Sequence, residues 1–345
     1  MPEFEYADRR SVMTTAAANH LIPLWFRPPR PKHKPFPNQT TMHTLPLRRL
    51  AKYALLCAPL AVVACGDDDD VIPVIGDSPS EVLEDRDEFE SLEEALDAED
   101  LLATLDAQTA LTLFAPTNAA FDAADLSGVT GDDLRNTLLY HAIGGAVLRS
   151  EDIPEGLRIF SPSDFSTPSL LVNNTGTSIM VNAATVVTPD IDTDNGVIHG
   201  IDRVLTLPTV VDLATYVPTL STLVDAVTQA GLAEALSDTD GDGFTVFAPT
   251  DQGFAGTATD DLSEEQLGNV LRYHVVPGVV LAGSLTDGMT VETLQGEAFT
   301  VNVTGSGVTI TDARGNVRNV TTTNVRGTNG VVHVIDGVLL PNDIN

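Results

Sequence analysis

Four histidines are the residues beyond position 64 best suited to acid–base or metal chemistry. They form two pairs, His141 with His274 and His199 with His333. The first pair follows leucines at helical spacing, which places each imidazole on an apolar stripe, and the second pair lies within nearly continuous apolar runs. We therefore expect all four side chains to be buried and hydrogen-bonded inside the fold. The alternative is a hydrolase that uses His141 or His274, which would require the imidazole to face a cleft.

Two acidic loops could ligate calcium. Asp238, Asp240 and Asp242 match the opening of an EF-hand loop, and a second aspartate-rich loop lies at residues 190–194. The twelfth position counted from Asp238 is Pro249, where an EF-hand needs a bidentate glutamate, so a true EF-hand is excluded. Solvated acidic turns explain the same residues. The sequence therefore predicts no required cofactor, with Ca²⁺ at Asp238, Asp240 and Asp242 as the alternative.

Other catalytic patterns are absent from the sequence. We find no glycine-rich phosphate loop, no nucleophile elbow and no Cys/His metal spacing. We therefore predict that the protein is not an enzyme.

The charge of the chain divides sharply. Residues 1–64 carry nine basic and three acidic residues, and the rest carries nine arginines, no lysine and 46 acidic residues, a net charge of −37. Nucleic-acid binding is excluded, because it needs a basic surface to neutralise phosphates. The acidic excess favours solubility, or adaptation to salty surroundings that screen the repulsion.

An export signal is predicted in residues 42–64, after a proline-rich upstream or disordered extension, residues 1–41. Basic residues are followed by a short apolar run from Tyr53 to Ala64, the layout of a secretory signal. The run ends in Val-Val-Ala before Cys65, which resembles the bacterial lipobox, so Cys65 is the predicted lipidation site and membrane anchor. Residues 65–79 predict an acidic flexible tether.

The rest of the chain repeats itself. Thr112–Asn118 and Thr245–Asp251 match at an offset of 133 residues, as do the two Tyr-His pairs, and the Asn-Gly-x-x-His blocks match at 134. These matches indicate two copies of one domain, at residues 80–208 and 209–343. The motif residues are Phe114, Pro116, Thr117, Tyr140, His141, Asn195, Gly196 and His199 in the first copy, and Phe247, Pro249, Thr250, Tyr273, His274, Asn329, Gly330 and His333 in the second.

Each copy changes its hydrophobic period along its length. Amphipathic helices come first, with Ser91, Thr130 and Ser263 as expected N-caps. Short β-branched segments follow, and the runs Val197–Leu205 and Val331–Leu340 predict strands buried on both faces. Helices followed by strands in one unit predict an α+β fold.

The three repeated blocks together resemble the fasciclin family. The resemblance covers about residues 80–343 and implies a β-wedge or sandwich with helices packed around it in each copy. In that family the Tyr-His region is linked to adhesion, which suggests a binding role for Tyr140 and Tyr273, here expected to be half-buried. The loop containing Asp152 and Ile153 resembles adhesion motifs of animal members and is a second binding candidate.

The combined expectation is a non-enzymatic, lipid-anchored protein of the cell envelope, facing the periplasm or the cell surface. It would act in adhesion or matrix binding, with an envelope or extracellular protein or a polysaccharide as partner. The alternative is a carrier of small apolar ligands, with a pocket between the helices and the wedge.

Overall fold

The structure is a computed structural model that describes residues 76–124, 126, 129–160, 168–257, 262–305 and 307–344. All of them fall within one compact unit of the chain, Val71–Asn345. The predicted extension (1–41), the signal (42–64) and Cys65 lie outside the described residues. Helix α1 begins at Pro79 and is capped by Ser78, so the end of the expected 65–79 tether already belongs to the first domain.

Helices open the first domain and strands complete it, as the change of period predicts. Its elements are α1 (Pro79–Glu84), α2 (Glu90–Ala98), α3 (Leu102–Asp106), β1 (Leu111–Pro116), α4 (Asn118–Ala123), α5 (Asp132–Tyr140), β2 (Ala142–Gly144), β3 (Gly156–Phe160), β4 (Leu170–Asn174), β5 (Ile179–Val181), β6 (Ala184–Thr193) and β7 (Gly196–Ile201).

The second domain repeats this order. Its elements are α6 (Val210–Tyr216), α7 (Ser221–Gln229), α8 (Ala233–Leu236), β8 (Phe244–Pro249), α9 (Asp251–Ala255), α10 (Glu264–Tyr273), β9 (Val275–Pro277), β10 (Thr290–Glu292), β11 (Ala298–Thr304), β12 (Gly307–Thr311), β13 (Val317–Gly327) and β14 (Gly330–Ile335). The α+β expectation is confirmed in both copies.

Each domain contains one seven-stranded sheet. The strand order is β2-β1-β7-β6-β5-β4-β3 in the first domain, and β9-β8-β14-β13-β12-β11-β10 is its counterpart in the second. Strands β1 and β7 pair in parallel, as do β8 and β14, whereas the other neighbours are antiparallel. Every residue of β7 and β14 is buried, so the predicted buried strands are confirmed, although they end at Ile201 and Ile335.

The helix caps were only partly predicted. Ser263 forms the expected capping box with Gln266. Ser91 does not cap its helix, because the chain enters α2 directly from a 3₁₀ turn at Asp87–Phe89 and the helix begins one residue earlier. The Thr130 cap is also wrong, since Gly131, with φ of 62°, occupies that position.

The hydrophobic core of each domain has two parts. One cluster lies between the helices and the sheet and contains Phe89, Leu92 and Leu96 of the first domain. The other lies against the opposite side of the sheet and contains Phe114 and Tyr140. The second domain has the same two-part core. With both faces of the central strands covered, the sheet holds its motif residues rigidly.

The two domains are in direct contact. Ser169 and Arg326 exchange two hydrogen bonds, each 2.9 Å, one between backbone atoms and one from the Arg326 N–H to the Ser169 hydroxyl. Leu157, Ile159 and Leu171 of the first domain pack into the helix-side core of the second. The apolar edge of the first sheet is therefore covered by the second domain.

Within the described part of the chain, no single helix is long and apolar enough to span a membrane. Val210–Tyr216 and Pro218–Gln229 together reach the length and composition, but the chain bends by 109° between them.

Candidate functional site

His141 and His274 occupy equivalent positions at the ends of α5 and α10. The Nδ1–H of His141 donates to the Thr137 carbonyl at 2.8 Å, and its Nε2 accepts the Leu205 N–H at 2.8 Å. His274 repeats both bonds with Val270 and Leu339. Each imidazole therefore joins its helix to the segment that follows the last strand of the domain, and no ring nitrogen is left for a substrate.

Burial sets the protonation state of this pair. The two side chains are only 1% and 2% exposed, and burial lowers the pKa of His141 and of His274 to about 4. Both are neutral near pH 7, consistent with a nitrogen that accepts a backbone N–H. The expected structural role is the one that this geometry supports.

His199 and His333 form the second equivalent pair, on β7 and β14. The Nε2–H of His199 donates to the Leu148 carbonyl at 2.7 Å, and His333 donates to Val280 at 2.9 Å. Their Nδ1 atoms accept the N–H groups of Asp190 and Asn324. Burial lowers the pKa of both histidines. These rings therefore fasten the loop after the Tyr-His helix to the centre of the sheet.

The Asp190 carboxylate lies 4.0 Å from the Nδ1 of His199, an arrangement that an acid–base site would also show. His199 is however only 1% exposed, and both of its nitrogens are engaged. The carboxylate accepts the N–H and the hydroxyl of Ser150. Burial raises the pKa of Asp190, but the two Ser150 bonds together with the nearby His199 and Arg149 outweigh it, and the pKa is lowered. The Asp190 carboxylate therefore joins the turn at Ser150 to strand β6, and the buried imidazole of His199 has no nitrogen free for a substrate.

Tyr140 and Tyr273 are completely buried, so the expectation that they are half-buried is wrong. They are 2% and 0% exposed because the second core cluster encloses their rings. The Tyr140 hydroxyl donates to the Ser169 carbonyl at 2.7 Å and accepts from Asn182. The Tyr273 hydroxyl donates to Ala298. Neither ring is available for surface contact, and Tyr140 instead supports the residue that contacts the second domain.

The Phe-Ala-Pro-Thr blocks organise the centre of each domain. Phe114 stacks on His199 with ring centroids 5.6 Å apart, and Phe247 stacks on His333 at 5.3 Å. Thr117 caps α4 through a bond from the Ala120 N–H, and Thr250 caps α9 in the same way. Pro116 and Pro249 are the last residues of their strands. The block thus ends a buried strand and starts a helix.

Two further positions of this block make structural hydrogen bonds and were not among the predicted site residues. Thr112 accepts the Leu148 N–H and donates to Ala146, so its buried hydroxyl holds the loop after β2. Asn118 accepts the Ser91 N–H at 2.9 Å and supplies the cap that Ser91 itself was expected to provide. The repetition of both positions, as Thr245 and Asp251, was the sequence signal that could have revealed them.

The Asn-Gly pairs have a steric and a capping role. The amide of Asn195 donates to the Leu105 and Gln108 carbonyls at the end of α3, and Asn329 bonds the end of α8. A Cβ on Gly196 would lie 1.9 Å from the Leu111 carbonyl oxygen. Only glycine therefore permits this parallel strand pairing. Gly330 is equally restricted, at 2.1 Å from the Phe244 oxygen.

The second binding candidate divides into an exposed and a buried residue. Asp152 lies on the surface in a 3₁₀ turn. Ile153 is only 3% exposed and belongs to the core cluster of the first domain, so its side chain is not available to a partner. The proline that follows turns the chain into β3, which places the isoleucine inward.

The three aspartates of the calcium alternative lie on the surface between α8 and β8. The Asp238 carboxylate accepts the Asp240 N–H at 3.0 Å, as in an ordinary aspartate turn. Among the described residues, no group of three or more His, Cys, Asp or Glu side chains converges on a possible metal position. The geometry thus matches the solvated-turn interpretation.

Taken together, the fold is a pair of α+β domains whose repeated polar residues serve each domain's interior. The fasciclin domain model matches residues 87–208 and 218–341. The protein therefore belongs to the fasciclin family and carries two of these domains in tandem.

Similar proteins share the tandem region. Human periostin is 30% identical over 262 residues, covering 71% of this chain and 30% of its own length. A protein of the fungus Arthroderma benhamiae named a fasciclin-like arabinogalactan protein is 31% identical over 273 residues, covering 69% of this chain and 60% of its own length. The chain thus spans less than two thirds of either relative. A FAS1 domain pair from the insect cell adhesion molecule fasciclin I matches with 21% identity, covers 74% of this chain and 98% of its own, and gives a TM-score of 0.44.

Proposed function

We propose that this protein is a non-enzymatic adhesion or matrix-binding module, exported and held at the cell envelope by a lipid on Cys65. The observation that carries the proposal is the burial of two histidines and one motif tyrosine in each copy. Because each of these side chains bonds inside its own domain, the outer surfaces are what the tandem offers to a partner.

The charge of those surfaces limits the kind of partner. Arg135, Arg314 and Arg318 each donate to a backbone carbonyl instead of a carboxylate. Three of the nine arginines beyond residue 64 thus bond to backbone instead of offsetting carboxylates, and 46 acidic residues remain against nine basic ones. A neutral polysaccharide, a basic protein surface or a partner bridged by divalent cations fits such a surface, whereas a nucleic acid does not.

Lipid anchoring can be tested separately from binding. Bacterial cells expressing the full chain are grown with radiolabelled palmitate, and the label on the protein is measured. We expect labelling in the parent protein and in Cys57→Ser, and none in Cys65→Ser. Since these two cysteines are the only ones in the chain, the pair forms a matched control. Label retained in Cys65→Ser would refute the anchor.

Adhesion is tested with the same cells on surfaces coated with polysaccharides, acidic proteins or basic proteins, with and without Ca²⁺. Cells that express the full protein should attach to at least one neutral or basic coating, and matched cells that lack it should not. Added purified protein should compete with attachment. Equal attachment by both cell types across the panel would contradict the proposed function.

A further inference from the structure

The second domain contains an apolar pocket between its helices and its sheet, with a volume of about 40 Å³. Helices α6, α7, α8 and α10 and strands β8 and β9 supply its walls. The lining residues are Val210, Val211, Ala214, Leu223, Val224, Val227, Thr228, Leu236, Val246, Leu271, His274 and Val275. The ring nitrogens of His274 are already bonded to Val270 and Leu339, so the pocket offers an almost purely apolar surface.

The helical halves of the two domains align residue by residue, so the residues that line the pocket can be compared with their counterparts in the first domain. Ser78 and Thr209 are both N-caps with capping boxes, 131 residues apart. Leu105 and Leu236 have the same offset, and their carbonyls accept from the equivalent amides Asn195 and Asn329. The offset increases to 133 at β1 and β8, because two more residues separate Leu236 from β8 than separate Leu105 from β1.

Several lining positions differ in size between the two domains. The first domain has leucine at three lining positions where the second has a smaller residue: Leu83 for Ala214, Leu96 for Val227 and Leu113 for Val246. Each of these leucines is 1% exposed, in the core cluster on the helix side. Three other lining positions change in the opposite direction: Val210 lies opposite Pro79, Val211 opposite Ser80 and Val275 opposite Ala142. The two domains therefore line the equivalent space with different side chains.

The partly exposed positions around the pocket also differ between the two domains. In the first domain Ser80 donates to the Asp106 carboxylate from both its N–H, at 3.0 Å, and its hydroxyl, at 2.7 Å, and these bonds tie α1 to α3. The second domain has Val211 in place of Ser80 and Val224 in place of the acidic Glu93. The partly exposed side of the pocket in the second domain thus carries valines where the first domain carries polar and acidic side chains.

We propose that this pocket binds the end of an unbranched alkyl chain. Its lining cannot satisfy a polar group, and apolar cavities of this kind stay dry and accept apolar guests. Its volume suits a few carbon atoms and is far below that of a pocket for a sugar or a drug-sized molecule. The polar end of such a ligand would stay outside, beside Thr228, which is exposed.

A homologous series of 1-alkanols from 1-propanol to 1-octanol tests the proposal. Dissociation constants are measured by calorimetry on the full protein. We expect affinity to rise about three- to fourfold per added methylene while the pocket fills, and then to level off. A rise that never levels off indicates surface partition, and no detectable binding indicates a closed pocket; either result overturns the proposal.

Residues borrowed from the first domain provide the matched variants. Ala214→Leu places the first domain's own leucine in the pocket and should weaken binding at least tenfold. If this variant folds poorly, Val227→Leu makes a smaller change in the same pocket. Ala103→Leu makes the same change at an exposed position of α3 and should leave binding unchanged. Unaltered binding to folded Ala214→Leu or Val227→Leu would place the alkanol elsewhere and refute the site.

Discussion

Because His141 and His274 are buried in the neutral state, the free energy of unfolding should decrease when the solution is acidified. In the unfolded chain each imidazole titrates at its ordinary pKa near 6.5, whereas burial lowers the folded pKa to about 4. Between these values the unfolded state binds more protons than the folded state. Stability is therefore fully retained above pH 6.5 and is lost as the pH falls towards 4.

The magnitude follows from the two pKa values. Integrating the linkage relation from pH 7 to pH 4.5 gives a loss of about 2 kcal/mol for each histidine. Replacing His274 by glutamine removes this titration, and at pH 7 it costs about 1–3 kcal/mol because the Leu339 N–H loses its acceptor or gains a poorer one. The stability gap between the parent and His274→Gln should consequently shrink by about 2 kcal/mol on acidification.

Urea unfolding of the full protein, followed by far-ultraviolet circular dichroism at several pH values from 7 to 4.5, measures this gap. The comparison cancels the contributions of the many carboxylates, which are the same in both proteins. His141→Gln should behave alike in the first domain. A gap that stays constant over this pH range would show that the folded histidines titrate normally and would refute the burial argument.

Three other predictions address the fold and its charge. Gly196→Ala should destabilise the first domain by about 3 kcal/mol or more in urea unfolding, because the added Cβ would lie 1.9 Å from the Leu111 carbonyl oxygen. Gly283→Ala is the control: no atom lies within 4 Å of its added carbon, so the urea midpoint should change little. Thr245→Val should cost about 1–3 kcal/mol in urea unfolding, since the Val280 N–H loses its acceptor; a neutral effect would contradict the assigned loop contact. The melting temperature should rise between low and molar NaCl because salt screens the repulsion within a region of net charge −37, and no gain would reject adaptation to salt.

The sequence by itself determined the repeat, the α+β class and the inward placement of the histidines. The repeated blocks recur in register over about 130 residues, so they report one domain built twice. Helical spacing placed His141 and His274 on apolar stripes, and the apolar runs around His199 and His333 marked buried strands. These features depend on neighbours that are close in the chain, which is why periodicity was sufficient.

The tertiary structure alone decided which partner each polar group has. Asn118 caps a helix 27 residues earlier, a contact that no local pattern encodes. The complete burial of Tyr140 likewise depends on strands brought together by the sheet, so its expected half-exposure was wrong. Long-range hydrogen bonds join segments whose separation in sequence carries no periodic signal.

The pocket of the second domain also became visible only in three dimensions. Ala214 and Leu83 are both ordinary apolar residues of helical stripes, and each sequence pattern is compatible with a filled core. Whether a void remains depends on the summed volumes of side chains from four helices and two strands. Packing is a property of that assembly, and for this reason the pocket of the second domain could not be located from the sequence.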